Sequence, residues 1–379
     1  MGALWETRAV ARAEIVVDLG AIRDNVAALR ARVDRSLMAV VKADGYGHGL
    51  VPSARAALDG GADMLGVAVL EEALALRAAG ITAPVLAWLA VPGEELTDAV
   101  RKDVDISVNA PWAVTELRAA ARAAGRPAAV HLKVDSGLSR GGATMEDWPQ
   151  LVAAVLAGAT AGELRPAAVW SHFAYADAPG HPTVAHQRKL FTEAADWAET
   201  QGLTGVIRHL ANSAATLTSP EAWLDLVRPG VACYGLDPHG GDPAEYGLRP
   251  AMTVRAQVAL VKRVPAGSGV SYGHEYTTTR PTGLALVPIG YAEGIPRNAT
   301  NVGPVQVAGQ RRRISGRVCM DQFVVDVGDD AVHPGDEVVL WGPGTAGEPT
   351  AQDWADAVGT IHYELVTRVG GRLTRRYVG

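Results

Sequence analysis

Leu37-Met38-Ala39-Val40-Val41-Lys42-Ala43-Asp44-Gly45-Tyr46-Gly47-His48-Gly49 joins an unbroken apolar run to a lysine and a loop with three glycines. An apolar run without alternation suits a strand buried on both faces, the condition of a parallel sheet. The run at 37–42 is the first of eight. The others cover residues 64–69, 84–89, 104–108, 129–135, 167–173, 207–213 and 226–235, with Ala- and Leu-rich stretches between them. Those stretches carry helical spacing. Leu19, Ile22, Val26, Leu29 and Val33 share one stripe behind Asp18 as a cap, and the stretch 71–79 stops at Gly80. Eight strands alternating with helices predict an α/β fold, a (β/α)8 TIM-type barrel over residues 15–244. A doubly wound open sheet is the alternative. It is disfavoured because no GxGxxG follows the first strand and eight parallel strands close readily.

Beyond residue 244 the pattern changes. Residues 253–264 alternate, a Gly/Pro turn follows at 265–269, and short β runs stand at 283–289, 304–307, 311–318, 322–327 and 337–341. One helix is expected near 352–358. This predicts a mostly β C-terminal domain over 245–379, to which residues 1–14 add a strand.

The bulk composition narrows the function classes. The 379 residues are 48% hydrophobic and 20% charged with a formal net charge of −6, the profile of a globular protein and not of a nucleic-acid binder. Cys233 and Cys319 form no CxxC pair and no metal-type spacing, so free thiols in a reducing compartment are expected. The N-terminal residues scatter charges without an apolar core, and no apolar run reaches membrane-spanning length. A cytoplasmic protein without membrane partners is the expectation.

Catalytic groups of such barrels stand where strands end. The first run meets Lys42, the fifth leads through Lys133 and Asp135 to Arg140, the sixth ends at Ser171-His172, the seventh at Asn212-Ser213, and the eighth carries Arg228-Pro229-Gly230-Val231. Each has an ordinary reading: Lys42 as a surface lysine, His172 as a satisfied structural histidine, Lys133 and Asp135 as an ion pair, Arg228 as a buried structural partner, Tyr272 as a turn tyrosine. For the barrel residues, convergence on one rim is what chance placement does not give; Tyr272 lies beyond the predicted barrel. An amine inside a barrel mouth loses solvation, which lowers its pKa and makes it a nucleophile.

The segment 39–49 resembles the cofactor-attachment motif of alanine racemases. The likeness continues in order through Lys133-Val134-Asp135-Ser136-Gly137-Leu138-Ser139-Arg140, Ser171-His172-Phe173-Ala174, Ala211-Asn212-Ser213, Arg228-Pro229-Gly230, Val270-Ser271-Tyr272-Gly273, Gly316-Arg317-Val318-Cys319-Met320-Asp321-Gln322 and Ile361-His362-Tyr363-Glu364. Asp44-Gly45 stands where the family more usually has Asn-Ala, and Ser136 and Leu138 where it has Thr and Met. None of these removes a functional group.

The resemblance implies a head-to-tail homodimer that interconverts L- and D-alanine with pyridoxal 5′-phosphate and supplies D-alanine for peptidoglycan. It implies that Lys42 holds the cofactor and serves as base on one face of the substrate, with Tyr272 of the partner subunit as base on the other. His172 and Arg140 assist that phenol, and Arg228 faces the pyridine nitrogen. The hydroxyls of Tyr46, Ser213 and Tyr363 and the backbone N–H groups of Gly230 and Val231 hold the cofactor phosphate, and Asn212 also lies at the cofactor. Arg140, Met320 and Asp321 meet the substrate, Lys133 carries a carbamate, and Asp177, Tyr291, Arg297 and Arg317 line the entrance. Three neighbouring readings compete. A racemase of serine or other amino acids often carries a membrane domain or signal peptide. A same-fold decarboxylase would place an acidic residue at the pyridine nitrogen, where Arg228 stands. A cofactor-homeostasis protein has a single barrel.

Overall fold

The computed structural model describes residues 11–379; the first ten, part of the strand expected over 1–14, lie outside the described residues. The chain divides into two compact units, Leu19–Arg249 and the residues up to Asp18 together with Pro250–Gly379. Strand β1 (Ala13–Asp18) belongs to the second unit.

Unit Leu19–Arg249 holds eight strands: β2 (Ser36–Val40), β3 (Met64–Val67), β4 (Val85–Ala87), β5 (Val104–Val108), β6 (Ala128–Lys133), β7 (Leu164–Trp170), β8 (Ile207–His209) and β9 (Leu226–Val227). All pair in parallel, in the order β8-β7-β6-β5-β4-β3-β2-β9. The ends of that ribbon meet: Asp225 N donates to Arg208 O at 3.1 Å and Arg228 N to Ala211 O at 2.8 Å. This is the barrel that the eight apolar runs predict. Leu37, Met38, Ala39 and Val40 are buried on both faces of β2, as a strand between a packed interior and a helical layer must be. The intervening helices bury one stripe each. In Pro111–Ala124, Ala113, Val114, Leu117, Ala120 and Ala121 are buried, Pro111 opens the first turn, and Gly125 closes it at φ 70°.

Several strands end earlier than their apolar runs. β2 stops at Val40, β8 at His209 and β9 at Val227. Leu210, Ala211 and Val231 beyond them are still buried, so an apolar run marks burial at the rim and not the end of the ladder. Pro229 has no N–H to continue β9, and the chain turns into the short helical turn Val231–Tyr234.

The second unit adds β10 (Met252–Gln257), β11 (Leu260–Val264), β12 (Gly269–Val270), β13 (Tyr276–Thr277), β14 (Thr282–Val287), β15 (Pro304–Val307), β16 (Gln310–Arg313), β17 (Phe323–Gly328), β18 (Glu337–Trp341) and β19 (Thr374–Val378). They form a six-stranded sheet β16-β15-β18-β10-β1-β19, a three-stranded sheet β11-β14-β17 and the ribbon β12-β13. β1 buries Ala13, Ile15 and Val17 and pairs antiparallel to β10 and parallel to β19. The alternation at 253–264 belongs to two strands in different sheets, broken at Val258-Ala259. The run at 311–318 ends at Arg313, where Ile314 makes an isolated bridge to Val325 and Gly316 turns the chain at φ 84°. Helix Ala351–Val358 lies where the spacing places it; helix His362–Arg368 and β19 carry no clear periodicity in the sequence. Among the described residues no helix is long and apolar enough to cross a membrane.

Candidate active site

Lys42 begins an unusual turn. Ala43, Asp44, Gly45 and Tyr46 have φ of 53°, 54°, 61° and 52°, one turn of left-handed helix, in which each L-residue crowds its Cβ against the next carbonyl at about 1–2 kcal/mol. Surrounding bonds hold it. Glu72 Oε1 accepts from Asp44 N at 3.3 Å, Asp44 Oδ1 accepts from Leu50 N at 2.8 Å, and Gly47 N donates to Ala43 O at 3.0 Å. Strain of this kind persists where the packing around it over-determines the backbone. Lys42 Nζ lies 5.9 Å from the Trp88 ring centre. Burial, followed by the Arg140 charge, pulls the amine below its usual pKa, against an opposing pull from Glu72. A larger neutral fraction makes it a better nucleophile and base.

The end of that turn faces the loop after β9. The Tyr46 ring packs on Tyr234 at 5.0 Å between centres. A Cβ at Gly230 would stand 2.2 Å from the Tyr46 hydroxyl oxygen, so glycine there makes room for that hydroxyl. The Gly230 N–H has a partner within this unit. That N–H donates to Ser213 Oγ at 2.8 Å, and Ala232 N donates to the same oxygen at 3.3 Å. Having accepted twice, the Ser213 hydroxyl has its own hydrogen to offer. Asn212 caps helix Ser213–Thr218, accepting from Ala215 N at 3.1 Å, and Val231 is buried at the head of its turn.

Arg228, 5% exposed, forms the floor. Its Nη2 donates to Ser171 O at 2.9 Å and Leu210 O at 3.2 Å and meets His172 Nδ1 at 3.3 Å, while Nη1 meets His209 Nδ1 at 3.0 Å. Burial lowers its pKa to about 9, which leaves it protonated at neutral pH. Desolvation and then the Arg228 charge hold His172 well below the ordinary imidazole range. Lys133 Nζ lies 4.4 Å over the Trp170 ring, and the Arg228 guanidinium lies 4.9 Å from the same ring centre. Burial first, then Arg228 and Arg140, lower Lys133 to about 8. Asp135 turns its Oδ1 to the N–H groups of Gly137, Leu138 and Ser139 at 2.9, 2.9 and 3.2 Å, shaping the loop to exposed Arg140 in place of a simple ion pair with Lys133. Ser136, a departure from the usual residue, shares a buried 2.8 Å hydrogen bond with Ser171.

Lys42, Tyr46, Lys133, Arg140, His172, Ser213, Arg228 and Gly230 thus gather in one unit. Three cationic side chains (Lys133, Arg140 and Arg228) and two hydroxyls give a cradle for anions beside the nucleophilic Lys42 amine. That donor set fits the phosphorylated aldehyde implied by the sequence resemblance: an amine for the aldehyde, hydroxyls for the phosphate, and a guanidinium for a ring nitrogen. Sequence reading missed Glu72, Trp88, Trp170, His209, His131 and Asp105. The signal for the last three was present: ionisable residues inside strands whose neighbours are all apolar.

The remaining candidates lie elsewhere. Asp177 is exposed in the loop after β7. Tyr272, 72% exposed, sits on a turn where Ser271, Gly273 and His274 all have positive φ. Ser271 Oγ donates to Arg317 O at 2.8 Å, and Arg317 Nε donates to Glu275 at 2.7 Å. Tyr291 N donates to Cys319 O at 3.1 Å and Ala292 N to Met320 O at 2.9 Å, so Tyr291 and exposed Met320 share one latched surface. That bond occupies the Met320 carbonyl. Asp321 pairs with Arg372 at 2.6 Å. Arg297 is exposed, and Tyr363 is half-buried on helix His362–Arg368.

Comparison with known proteins covers both units. Residues 17–238 match the family model "Alanine racemase, N-terminal domain" and residues 251–377 match "Alanine racemase, C-terminal domain". The alanine racemase of Frankia casuarinae is 63% identical over 366 residues, 96% of this chain and 95% of that one. The solved alanine racemase of Streptomyces lavendulae is 55% identical with a TM-score of 0.97, covering 98% of both chains. That of Bacillus anthracis, solved with bound L-Ala-P, is 34% identical with a TM-score of 0.89 over 98% of this chain and 96% of that one. With both models matched in order, and identity well above half sustained across nearly the whole length, the chain belongs to the alanine racemase family.

Proposed function

We propose that racemisation of alanine, the reaction of this family, runs here on pyridoxal 5′-phosphate held by Lys42, with Lys42 and Tyr272 as the two proton carriers. The observation that carries the reading is the half-buried amine of Lys42, its pKa lowered, on a strained turn beside the Tyr46–Ser213–Gly230 cradle. When bound, the cofactor supplies a conjugated ring that withdraws charge from the substrate α-carbon and makes its proton removable. Lys42 would hold the cofactor through its aldehyde, and its amine is the group that would take or return a proton on the D face. Tyr272 of the partner subunit does the same on the L face of a homodimer. Its exposed turn suits a residue that completes a neighbour's site. Arg228 donates a hydrogen bond to the ring nitrogen without giving up its proton. Tyr46, Ser213 and Tyr363 hydroxyls bind the phosphate, with Val231, Gly230 and Asn212 shaping its seat. Arg140 binds the substrate carboxylate beside the segment of Met320 and Asp321. A carbamate on Lys133 turns a cation into an anion that orients Arg140. Asp177, Tyr291, Arg297 and Arg317 line the approach. The L-Ala-P found on the Bacillus anthracis relative is consistent with a site for an alanine skeleton. A cytoplasmic enzyme supplying D-alanine for peptidoglycan completes the proposal.

Borohydride reduction in the presence of the cofactor should leave a covalent adduct on Lys42, and L- or D-alanine should be interconverted in preference to serine. Absence of the adduct overturns the cofactor assignment. A mixture of inactive Lys42→Ala and Tyr272→Phe enzymes tests the shared site. Random pairing puts both lesions in one of two sites of each mixed dimer and leaves the other intact, so about a quarter of wild-type activity returns. No recovery sinks the shared-site geometry.

A further inference from the structure

The interior of a (β/α)8 barrel is ordinarily filled by branched apolar side chains. Here β5, β6 and β8 contribute Asp105, His131 and His209. β7 separates β6 from β8, so the 3.1 Å contact between His131 Nδ1 and His209 Nε2 crosses the interior. It is the middle of a chain. Arg228 Nη1 meets His209 Nδ1 at 3.0 Å, and His131 Nε2 meets Asp105 Oδ2 at 3.1 Å. The two ends fix its sense. A guanidinium only donates and a carboxylate only accepts, so His209 Nδ1 accepts from Arg228, His209 Nε2–H donates to His131 Nδ1, and His131 Nε2–H donates to Asp105. Any other placement sets two hydrogens or two lone pairs against each other at one of the three contacts. The Trp170 ring stacks on His209 at 5.6 Å and 12° and is itself tied by Nε1 to Ser107 Oγ at 2.8 Å, which stops the imidazole from turning. The hydrogen bonds of Arg228 described above go to carbonyls and imidazoles; Asp105 is the carboxylate to which they lead. Arg165 approaches the other Asp105 oxygen at 4.0 Å, and the Arg77 charge also acts on it.

We infer that Asp105, acting through His131 and His209, is a positioning residue that fixes the plane and charge of the Arg228 guanidinium at the cofactor ring nitrogen. The inference rests on the reading that Arg228 meets that nitrogen. Burial holds His209 well below the usual imidazole range, which keeps it neutral, with one lone pair and one N–H to relay. A network that merely filled the core would stabilise the barrel without touching the electronic state of the cofactor, and that difference is measurable.

The test uses the whole enzyme with isotope-labelled histidine. Nitrogen NMR should place the hydrogen on Nε2 of both His131 and His209, with or without added pyridoxal 5′-phosphate. Asp105→Asn and His131→Leu should each change the His209 signal, shift the visible absorption of the bound cofactor and its pH dependence, and slow kcat about tenfold, with KM for alanine little changed. His131→Gln, whose amide both accepts and donates, should restore all three. If Asp105→Asn leaves the His209 signal and the cofactor absorption as in wild type, the inference is overturned. It is also overturned if the absorption changes equally in His131→Gln and His131→Leu. Failure of the cofactor reading looks different: no borohydride adduct forms on Lys42. The His209 signal then still decides whether Asp105 governs Arg228.

Discussion

Lys133 shows how one residue acquires chemistry that its identity alone does not confer. In water its amine would be neutral at about one part in three hundred at pH 8. Half-buried over Trp170 beside Arg228 and Arg140, with its pKa at about 8, half of it is neutral there. Only the neutral amine adds carbon dioxide, releasing one proton to solvent. Labelled bicarbonate should therefore give a carbamate signal on Lys133 that is stronger at about pH 8.5 than at about pH 6.5; a signal absent at both values refutes the assignment. The sign for stability agrees. The folded pKa lies below the unfolded one, so the unfolded chain binds more protons between them, and the stability contribution rises with pH from 8 towards 10.5. Gly230 is a second case. Gly230→Ala puts a methyl 2.2 Å from the Tyr46 hydroxyl and 2.9 Å from its ring carbon, on a ring backed by Tyr234. We expect a loss of about 1–3 kcal/mol from overpacking and weaker binding of the cofactor. Chemical denaturation and cofactor titration read the two separately.

The element that matters most is the left-handed turn after β2. It carries Lys42 out of the strand with Ala43, Asp44 and Tyr46 in backbone conformations that L-residues avoid, secured by Glu72 from helix Leu70–Ala78. Ala43 is exposed, so a larger side chain meets no packing obstacle and only the backbone conformation opposes it. Ala43→Val places a β-branched residue at φ 53° and should cost about 1–3 kcal/mol, with kcat falling as Lys42 loses its placement. Unchanged denaturation and turnover would show that the turn is not strained. The sequence Lys-Ala-Asp-Gly-Tyr-Gly-His-Gly announces a loop able to approach a ligand, but not a helix of the wrong hand. That conformation depends on Asp44 N reaching Glu72, a contact 28 positions along the chain.

At the scale of the whole molecule, buried imidazoles set the acid limit of stability. Burial keeps His209 neutral when folded, while the unfolded chain protonates it near pH 6.5. Below that pH the unfolded state binds the extra proton, so folding stability falls with decreasing pH, by about 1.4 kcal/mol per pH unit for this one group. His172 acts in the same direction. Urea midpoints at about pH 7.5 and about pH 5.5 should show the decline, and replacing His209 with a neutral residue should flatten it. A midpoint that does not move with pH would mean that His209 is charged in the fold.

Local physics made the barrel legible before any coordinates. Continuous apolar runs between helical stripes admit little else than a parallel sheet covered on both faces, and the polar groups beyond those runs identify the functional rim. The same patterning located β15 and β18, whose expected bounds match residue for residue. What it left open are matters of long-range contact. Where β2 and β9 stop, which donors the Ser213 hydroxyl accepts from, the hand of the turn behind Lys42, and the line from Arg228 through two imidazoles to Asp105 depend on partners from 17 to 190 residues apart. Periodicity along the chain carries burial because burial repeats with the geometry of each element. It cannot carry a hydrogen bond whose donor and acceptor lie on different strands, and those bonds are settled only when the chain closes on itself.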